Sequence, residues 1–197
     1  GADVNSPSRY ASTKGEAEAA VRNAFPDATI LRPATVFGRE DRFINRFAGM
    51  IAMSPVVPVL RAQTRFQPVF VGDVAAATVA ALAAPDRFGG HVYELGGPDV
   101  LSLLELHRWI ARAIGRDPAL PALPDIAGQA IAAFGFLPGA PITADQWKLL
   151  QRDTVVAPGA ERLAALGVTP TPLAAVAPGW LVRYRRAGRF AVTTAQA

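Results

Sequence analysis

Tyr10 and Lys14 stand four residues apart in the stretch "SRYASTKGEAE". On a helix, residues i and i+4 share a face, so a phenol and an ammonium would project together. A phenol titrates near pH 10 and is a poor acid at neutral pH. A neighbouring ammonium favours the phenolate and eases proton exchange with a carbonyl or alcohol oxygen. The same ammonium can hold the ribose hydroxyls of a nicotinamide dinucleotide while hydride moves to or from its ring. Redox chemistry on alcohols is one use of this spacing. A plain exposed helical face is the other, since Tyr-x-x-x-Lys arises by chance in many helices.

Little else in the composition offers chemistry. The 197 residues hold no cysteine and only two histidines, His91 and His107, in separate segments. Disulfides and thiolate metal sites are excluded, and a zinc site or a Ser-His-Asp triad would need more histidine than this. No metal is expected, and both histidines read as surface or hydrogen-bonded core residues. The formal charge is +4. Arg183, Arg185, Arg186 and Arg189 crowd the end of the chain as a local basic tail. Basic and aromatic residues are not interleaved elsewhere, so no nucleic acid is expected as a partner. The longest apolar run, "VAAATVAALAAP" at 74–85, is too short to span a bilayer, which takes about 20 residues. The expectation is a soluble chain, at most peripheral to a membrane.

The elements that must position the pair follow from periodicity. Ser6 is a candidate N-cap with Pro7 at the first helical position, and Ala17, Val21, Ala24 and Phe25 make the apolar stripe of the first helix, which Pro26-Asp27 ends. "ATILRP" reads as a strand closed by Pro33. A glycine turn and an amphipathic helix follow, with Phe43, Phe47, Met50 and Ile51 on one face. Val69 to Val71 form a strand, and Asp73 caps the next helix. "GGHVYELGGP" is another strand, and a helix runs from Ser102 to a stop at Gly115. Alternating helices and strands predict an α/β fold with a parallel sheet over residues 1–115. From 116 to 197 the chain is proline-rich and mostly helical, with Thr143 capping "ADQWKLLQRD" and a last helix carrying the basic tail. Trp109, Trp147 and Trp180 read as core or interface aromatics. Three strand candidates are few for a doubly wound sheet, which usually has five or six. With an opening glycine, this leads to the expectation that the sequence is the later part of a longer protein.

Taken in order, Y-x-x-x-K, L-R-P-x-x-V-F-G and V-x-V-x-D-V-A-x-A resemble the extended short-chain dehydrogenase/reductase superfamily, which includes the NAD-dependent epimerases and dehydratases. "SRYASTKGEAEAAVRNAFPDATILRPATVFGREDRFINRFAGM" is more narrowly similar to its atypical branch, which contains the large NAD(P)H-binding accessory subunit of respiratory complex I. "FGREDRFINRFA" is the most specific part, because general epimerases usually carry Phe/Tyr-Gly-Pro there. "ITADQWKLLQRD" and "LAALGVTPTPL" extend the likeness over nearly the whole chain. The resemblance implies a Rossmann-like sheet whose later part lies here, followed by a small helical region.

It also implies site residues. Tyr10 and Lys14 match the active-site pair, facing a nicotinamide ring beside the backbone of Pro33, Ala34 and Val36. Arg39, Asp41 and Arg42 follow the turn where epimerases contact substrate; Glu40 and Asp41 suit a helix start equally well. Arg32 reads as a brace at the strand end. The family's glycine-rich pyrophosphate loop and its catalytic serine or threonine would lie upstream of Gly1. The implied cofactor is NADP or NAD. The implied role is an NAD(P)H-binding subunit or assembly factor of NADH:quinone oxidoreductase, with complex I subunits as partners and the basic last helix on a membrane surface. Its place would be cytoplasmic, peripheral on the inner face of a bacterial inner membrane, or on the matrix side of a mitochondrial one. The alternative is a working epimerase, dehydratase or reductase with Tyr10 as acid/base.

Overall fold

The computed structural model describes residues 1–137, 142–186 and 188–190, of which the side chain of Arg189 is excepted. The first helix, α1 (Arg9–Ala24), is rich in alanine and straight-chain residues with high helix propensity. Its N-cap is Ser8, whose hydroxyl accepts from the Ala11 N–H. This corrects the expected cap at Ser6, whose Oγ instead accepts the Ser8 N–H at 3.2 Å. The buried side is also corrected. Val21 is 46% and Phe25 61% exposed, while Ala11 and Gly15 are the buried residues of α1. Small residues four apart let the segment before the helix lie against it. The Asp3 N–H donates to the Ala11 carbonyl at 3.1 Å, and a Cβ on Gly15 would stand 2.6 Å from the Val4 backbone nitrogen.

β1 (Ile30–Pro33) and β2 (Val36–Phe37) follow, the first ending at its proline as expected. α2 (Ile44–Met53) buries Ile44, Asn45, Ala48 and Ile51. Phe43 and Phe47 are half-buried, and Met50 is exposed, so the buried face is rotated from the one the spacing suggested. Next come β3 (Val59–Leu60), β4 (Arg65–Phe66), β5 (Val69–Phe70), α3 (Val71–Ala83), α4 (Pro85–Phe88), β6 (Val92–Leu95) and β7 (Leu101–Ser102). Val71 thus begins a helix and does not extend the strand. Asp73 lies in the first turn of α3 but does not cap it. Its buried carboxylate accepts the Thr171 N–H at 2.7 Å and the Thr171 hydroxyl at 2.8 Å, which ties a distant turn to this helix.

α5 (Leu103–Ala113) starts at Ser102, as read from the sequence, with a capping box between Ser102 and Glu105. It stops before Gly115, which takes the left-handed φ of 66° that glycine adopts without a Cβ clash. β8 (Ala122–Leu123), α6 (Asp125–Ala133) and α7 (Ala144–Leu150) complete the middle of the chain. Thr143 caps α7 through a second capping box, with Gln146. Beyond a 3₁₀ turn at Leu163–Leu166, the expected single last helix is instead two short pieces, α8 (Leu173–Val176) and α9 (Pro178–Leu181), and a 3₁₀ turn over Val182–Tyr184. Pro178, at the first position of α9, interrupts the helix by removing a donor. Ala187, within the expected tail helix, lies outside the described residues.

The longest ladder pairs β1 with β6 in parallel, Ile30 opposite Val92 through Pro33 opposite Leu95. β2 pairs with β5 and β3 with β8, also in parallel, and β4 pairs with β7 antiparallel. The predicted α/β arrangement with parallel strands is therefore present, in more and shorter strands than the pattern revealed. One core joins Phe37, Ile44, Ile51, Leu106 and Ile110 to Leu173 and Leu181. A second joins Val69, Tyr93 and Leu95 to Leu163 and Leu166. Trp147 is buried with Ala132 and Ile142, and Trp109 and Trp180 pack on the first core, so all three tryptophans act as packing residues.

Candidate functional site

α1 carries Tyr10 and Lys14 on one face, with the ammonium over the phenol ring at 5.8 Å from its centroid. Both side chains are exposed, Tyr10 at 59%. One turn further along the same side, Glu18 takes a bidentate pair from Arg32, with Nε and Nη2 both at 2.9 Å. Arg32 also reaches Glu94 on β6 at 3.5 Å. The hydrogen bond to Glu18 raises the guanidinium's pKa most; burial opposes it, and the charges of Glu18 and Glu94 add to it. Arg32 is the brace that the sequence suggested, and it fixes the line Tyr10, Lys14, Glu18 to the end of β1.

Pro33 closes β1 opposite Leu95. The Ala34 N–H donates to the Leu95 carbonyl at 2.9 Å, and the Val69 N–H donates to the Thr35 carbonyl at 3.0 Å. Val36 then enters β2 opposite Val69. The backbone from Pro33 to Val36 is thus held on both sides by ladder bonds, while Pro33 itself stays exposed. Such a fixed strand end can present peptide groups to a flat ring.

After the Gly38 turn, Asp41 organises the start of α2. Its Oδ1 accepts the N–H groups of Phe43 at 2.8 Å and Ile44 at 2.6 Å, and its Oδ2 accepts the Gly38 N–H at 3.3 Å. The helix-start reading of Asp41 is the one the structure displays. Arg39 and Arg42 have exposed side chains. The Arg39 carbonyl accepts from Asn45 Nδ2 at 3.2 Å and from Arg183, which also donates to Asn45 Oδ1 at 2.7 Å. Arg39 and Arg183 line a shallow opening with Gly179, Trp180 and Val182. Arg185 donates to the Ala113 carbonyl at 3.1 and 3.2 Å. Two arginines of the basic tail therefore serve helix ends of this chain.

The groups that fix the start of α1 have no signature in the local residue pattern. Asp145, on α7, takes the Arg9 and Tyr10 N–H groups and the Ser8 hydroxyl at 2.7 to 3.1 Å. Partial burial pushes the Asp145 carboxyl up, but these three bonds and the Lys148 charge outweigh it and hold it below the usual carboxylate range. The acidic first turn of a capped helix was visible, but not its target 135 residues away. His107 is buried, donating Nδ1–H to the Leu103 carbonyl at 2.7 Å, and His91 is exposed beside Glu161 at 3.3 Å, as their isolation in the sequence suggested. Among the described residues there is no group of three or more His, Cys, Asp or Glu able to hold a metal ion, and no helix long and apolar enough to cross a membrane.

Residues 2–133 match the family described as the RmlD substrate binding domain. The chain is 40% identical over 199 residues to the mitochondrial NADH dehydrogenase (ubiquinone) 1 alpha subcomplex subunit 9 of Arabidopsis thaliana, covering 95% of this chain and 50% of that protein. It is 34% identical over 140 residues to a ceramide reductase of Caulobacter vibrioides, covering 68% of this chain and 43% of the reductase. A crystal structure of UDP-glucose 4-epimerase from Thermotoga maritima superposes with a TM-score of 0.56 at 18% identity, over 88% of this chain and 50% of the epimerase. That likeness is one of fold. The chain spans about half the length of the curated relatives it matches.

Proposed function

This chain belongs to the RmlD substrate binding domain family, and on that footing we propose that it is part of an NAD(P)H-binding subunit or assembly factor of a NADH:quinone oxidoreductase. The dinucleotide, NADP or NAD, is held mainly as a structural cofactor. The observation that carries the reading is the 40% identity to the Arabidopsis subunit over 95% of this chain.

The residues present suit the group they would hold. Lys14 offers three N–H donors and Tyr10 a hydroxyl, both free of hydrogen-bond partners among the described residues, and both exposed on one side of α1. Lys14 would bond the ribose hydroxyls, and the backbone of Pro33, Ala34 and Val36 would lie along the nicotinamide. When bound, the nicotinamide supplies a hydride or accepts one. Arg32 and Glu18 keep α1 and the strand end in register, so both halves of the cradle keep their spacing. A segment outside these 197 residues supplies the pyrophosphate contact in this reading, since no Gly-x-Gly-x-x-Gly occurs in the chain. In this reading the protein is peripheral to the membrane, on the cytoplasmic or matrix side. Among the described side chains of the tail, Arg186 is exposed and available to an anionic surface.

Affinity-tagged full-length protein is expected to co-migrate with NADH:quinone oxidoreductase activity in native gels of solubilised membranes, with dinucleotide retained at near one per chain. Migration alone and without dinucleotide would overturn this reading.

The similarity to the Caulobacter ceramide reductase and the paired Tyr10 and Lys14 favour a second reading. Here the protein is an NAD(P)-dependent epimerase, dehydratase or reductase, including one linked to quinone biosynthesis. Tyr10 exchanges a proton with the substrate oxygen, Lys14 tunes it, and Arg39 and Arg42 contact substrate. Steady NADPH turnover abolished by Tyr10→Phe is its expected sign. Tight binding with no turnover on any carbonyl, lipid or quinone substrate tried would count against it.

A further inference from the structure

Three residues of one segment grip the start of α1. Asp145, near the start of α7, accepts the Arg9 N–H at 2.7 Å through Oδ1, and the Tyr10 N–H at 3.1 Å and Ser8 hydroxyl at 3.0 Å through Oδ2. Lys148 donates its ammonium to the Pro7 carbonyl at 3.0 Å. Arg152, just past the helix, pairs with Asp3 at 3.4 Å. Positions 145 and 148 share one face of α7, and Arg152 adds a contact from the turn beyond it, so one short stretch of chain meets residues 3–10. The Asp145 carboxylate lies in the first turn of its own helix and against the first turn of α1, where both helix dipoles favour a negative charge. α1 has little apolar anchorage at this end, with Ala11 and Gly15 as its buried residues. The polar grip is what sets where Tyr10 begins.

We propose that Asp145 is a positioning residue for the Tyr10–Lys14 pair, so that seating of α7 on α1 and occupancy of the pair by a dinucleotide are coupled. This rests on the dinucleotide reading above. Coupling of this kind is reciprocal: what α7 contributes to cofactor affinity, bound cofactor returns as protection of α7.

The test uses full-length protein and NADPH itself, with affinity followed by nucleotide fluorescence and α7 followed by amide hydrogen exchange. NADPH is expected to slow exchange across residues 144–150 in the wild type. Asp145→Ala is expected to lose about tenfold in NADPH affinity, together with that protection, while melting within a few degrees of wild type. Asp145→Glu should restore part of both. If Asp145→Ala does not fold, Asp145→Asn carries the test, because it keeps the size of the side chain and one acceptor oxygen while removing the charge and the second acceptor; about threefold weaker binding is expected, and wild-type affinity overturns the coupling. Wild-type affinity in a folded Asp145→Ala, or exchange in α7 indifferent to NADPH, overturns the coupling and leaves the dinucleotide reading standing. A wild type that takes up no NADPH or NADH overturns that reading, and the coupling with it.

Discussion

α5 buries Leu103, Leu106, His107, Ile110 and Ala111 of its eleven residues and starts on a capping box built from its own neighbours, Ser102 and Glu105. The sixteen-residue α1 buries Ala11 and Gly15, and its first turn is held by a carboxylate from another helix. α5 is fixed by apolar packing all along one side, with Glu105, Arg108 and Arg112 exposed on the other. α1 is held at its start by Asp145 and beyond its middle by the Glu18–Arg32 pair, with Tyr10 and Lys14 exposed on the stretch these contacts bracket. A helix that leaves a phenol and an ammonium exposed is not anchored by an apolar stripe at that face. Polar contacts at its first turn and at Glu18 hold it without covering the pair.

Substitutions should separate the two modes. Ile110, fully buried against Ile44 and Leu106 in the first core, is expected to lose about 2–5 kcal/mol of unfolding free energy as Ile110→Ala, through lost burial and the cavity left behind. Urea denaturation measures this, and a loss under about 1 kcal/mol would mean that α5 is less essential to the core than its burial indicates. Gly15→Val places side-chain atoms on a Cβ position 2.6 Å from the Val4 backbone nitrogen. The segment before α1 must shift, at a cost of about 1–3 kcal/mol. Faster hydrogen exchange at Arg9 and Tyr10, with the rates of α5 unchanged, is the expected mark of a local effect.

His107 yields the smallest difference, and it depends on pH. Burial is the larger influence and lowers its pKa, against the opposing hydrogen bond to Leu103. The unfolded chain therefore takes up a proton near the ordinary value of about 6.5, while the folded chain resists until lower pH. Its stabilising contribution is complete above about pH 6.5 and declines as pH falls toward the folded value. Urea midpoints at pH 7.0 and 5.5 should separate more for the wild type than for His107→Gln. Equal separations would show that His107 titrates normally in the fold.

The same contrast explains what could be read from the sequence. Ser102, Glu105, Thr143 and Gly115 act on residues within a few positions, so caps and stops were legible as local patterns. "ILRP" and "VYEL" were legible as strands because β-branched and aromatic residues cluster there between turn residues. The two-residue strands Val36–Phe37, Val59–Leu60 and Leu101–Ser102 are too short to show a period. The outward Val21 and Phe25 carry a helical spacing that the fold does not bury, so periodicity alone chose the wrong face of α1. Asp73 was read as a helix cap and Asp145 lies in the first turn of α7, yet each bonds a partner far along the chain. Of the candidate site, the pair Tyr10–Lys14 and the strand end Pro33–Val36 could be named in advance; the groups that position the pair could not.

The central claim is that the free face of α1 holds a nicotinamide dinucleotide through Lys14. Titrating NADPH and NADH into full-length wild type and Lys14→Ala by calorimetry tests it most directly. The exposed Lys14 should cost less than about 0.5 kcal/mol of stability when removed, while affinity for the preferred dinucleotide falls about tenfold or more. A Lys14→Ala protein that binds it as tightly as the wild type would contradict the account.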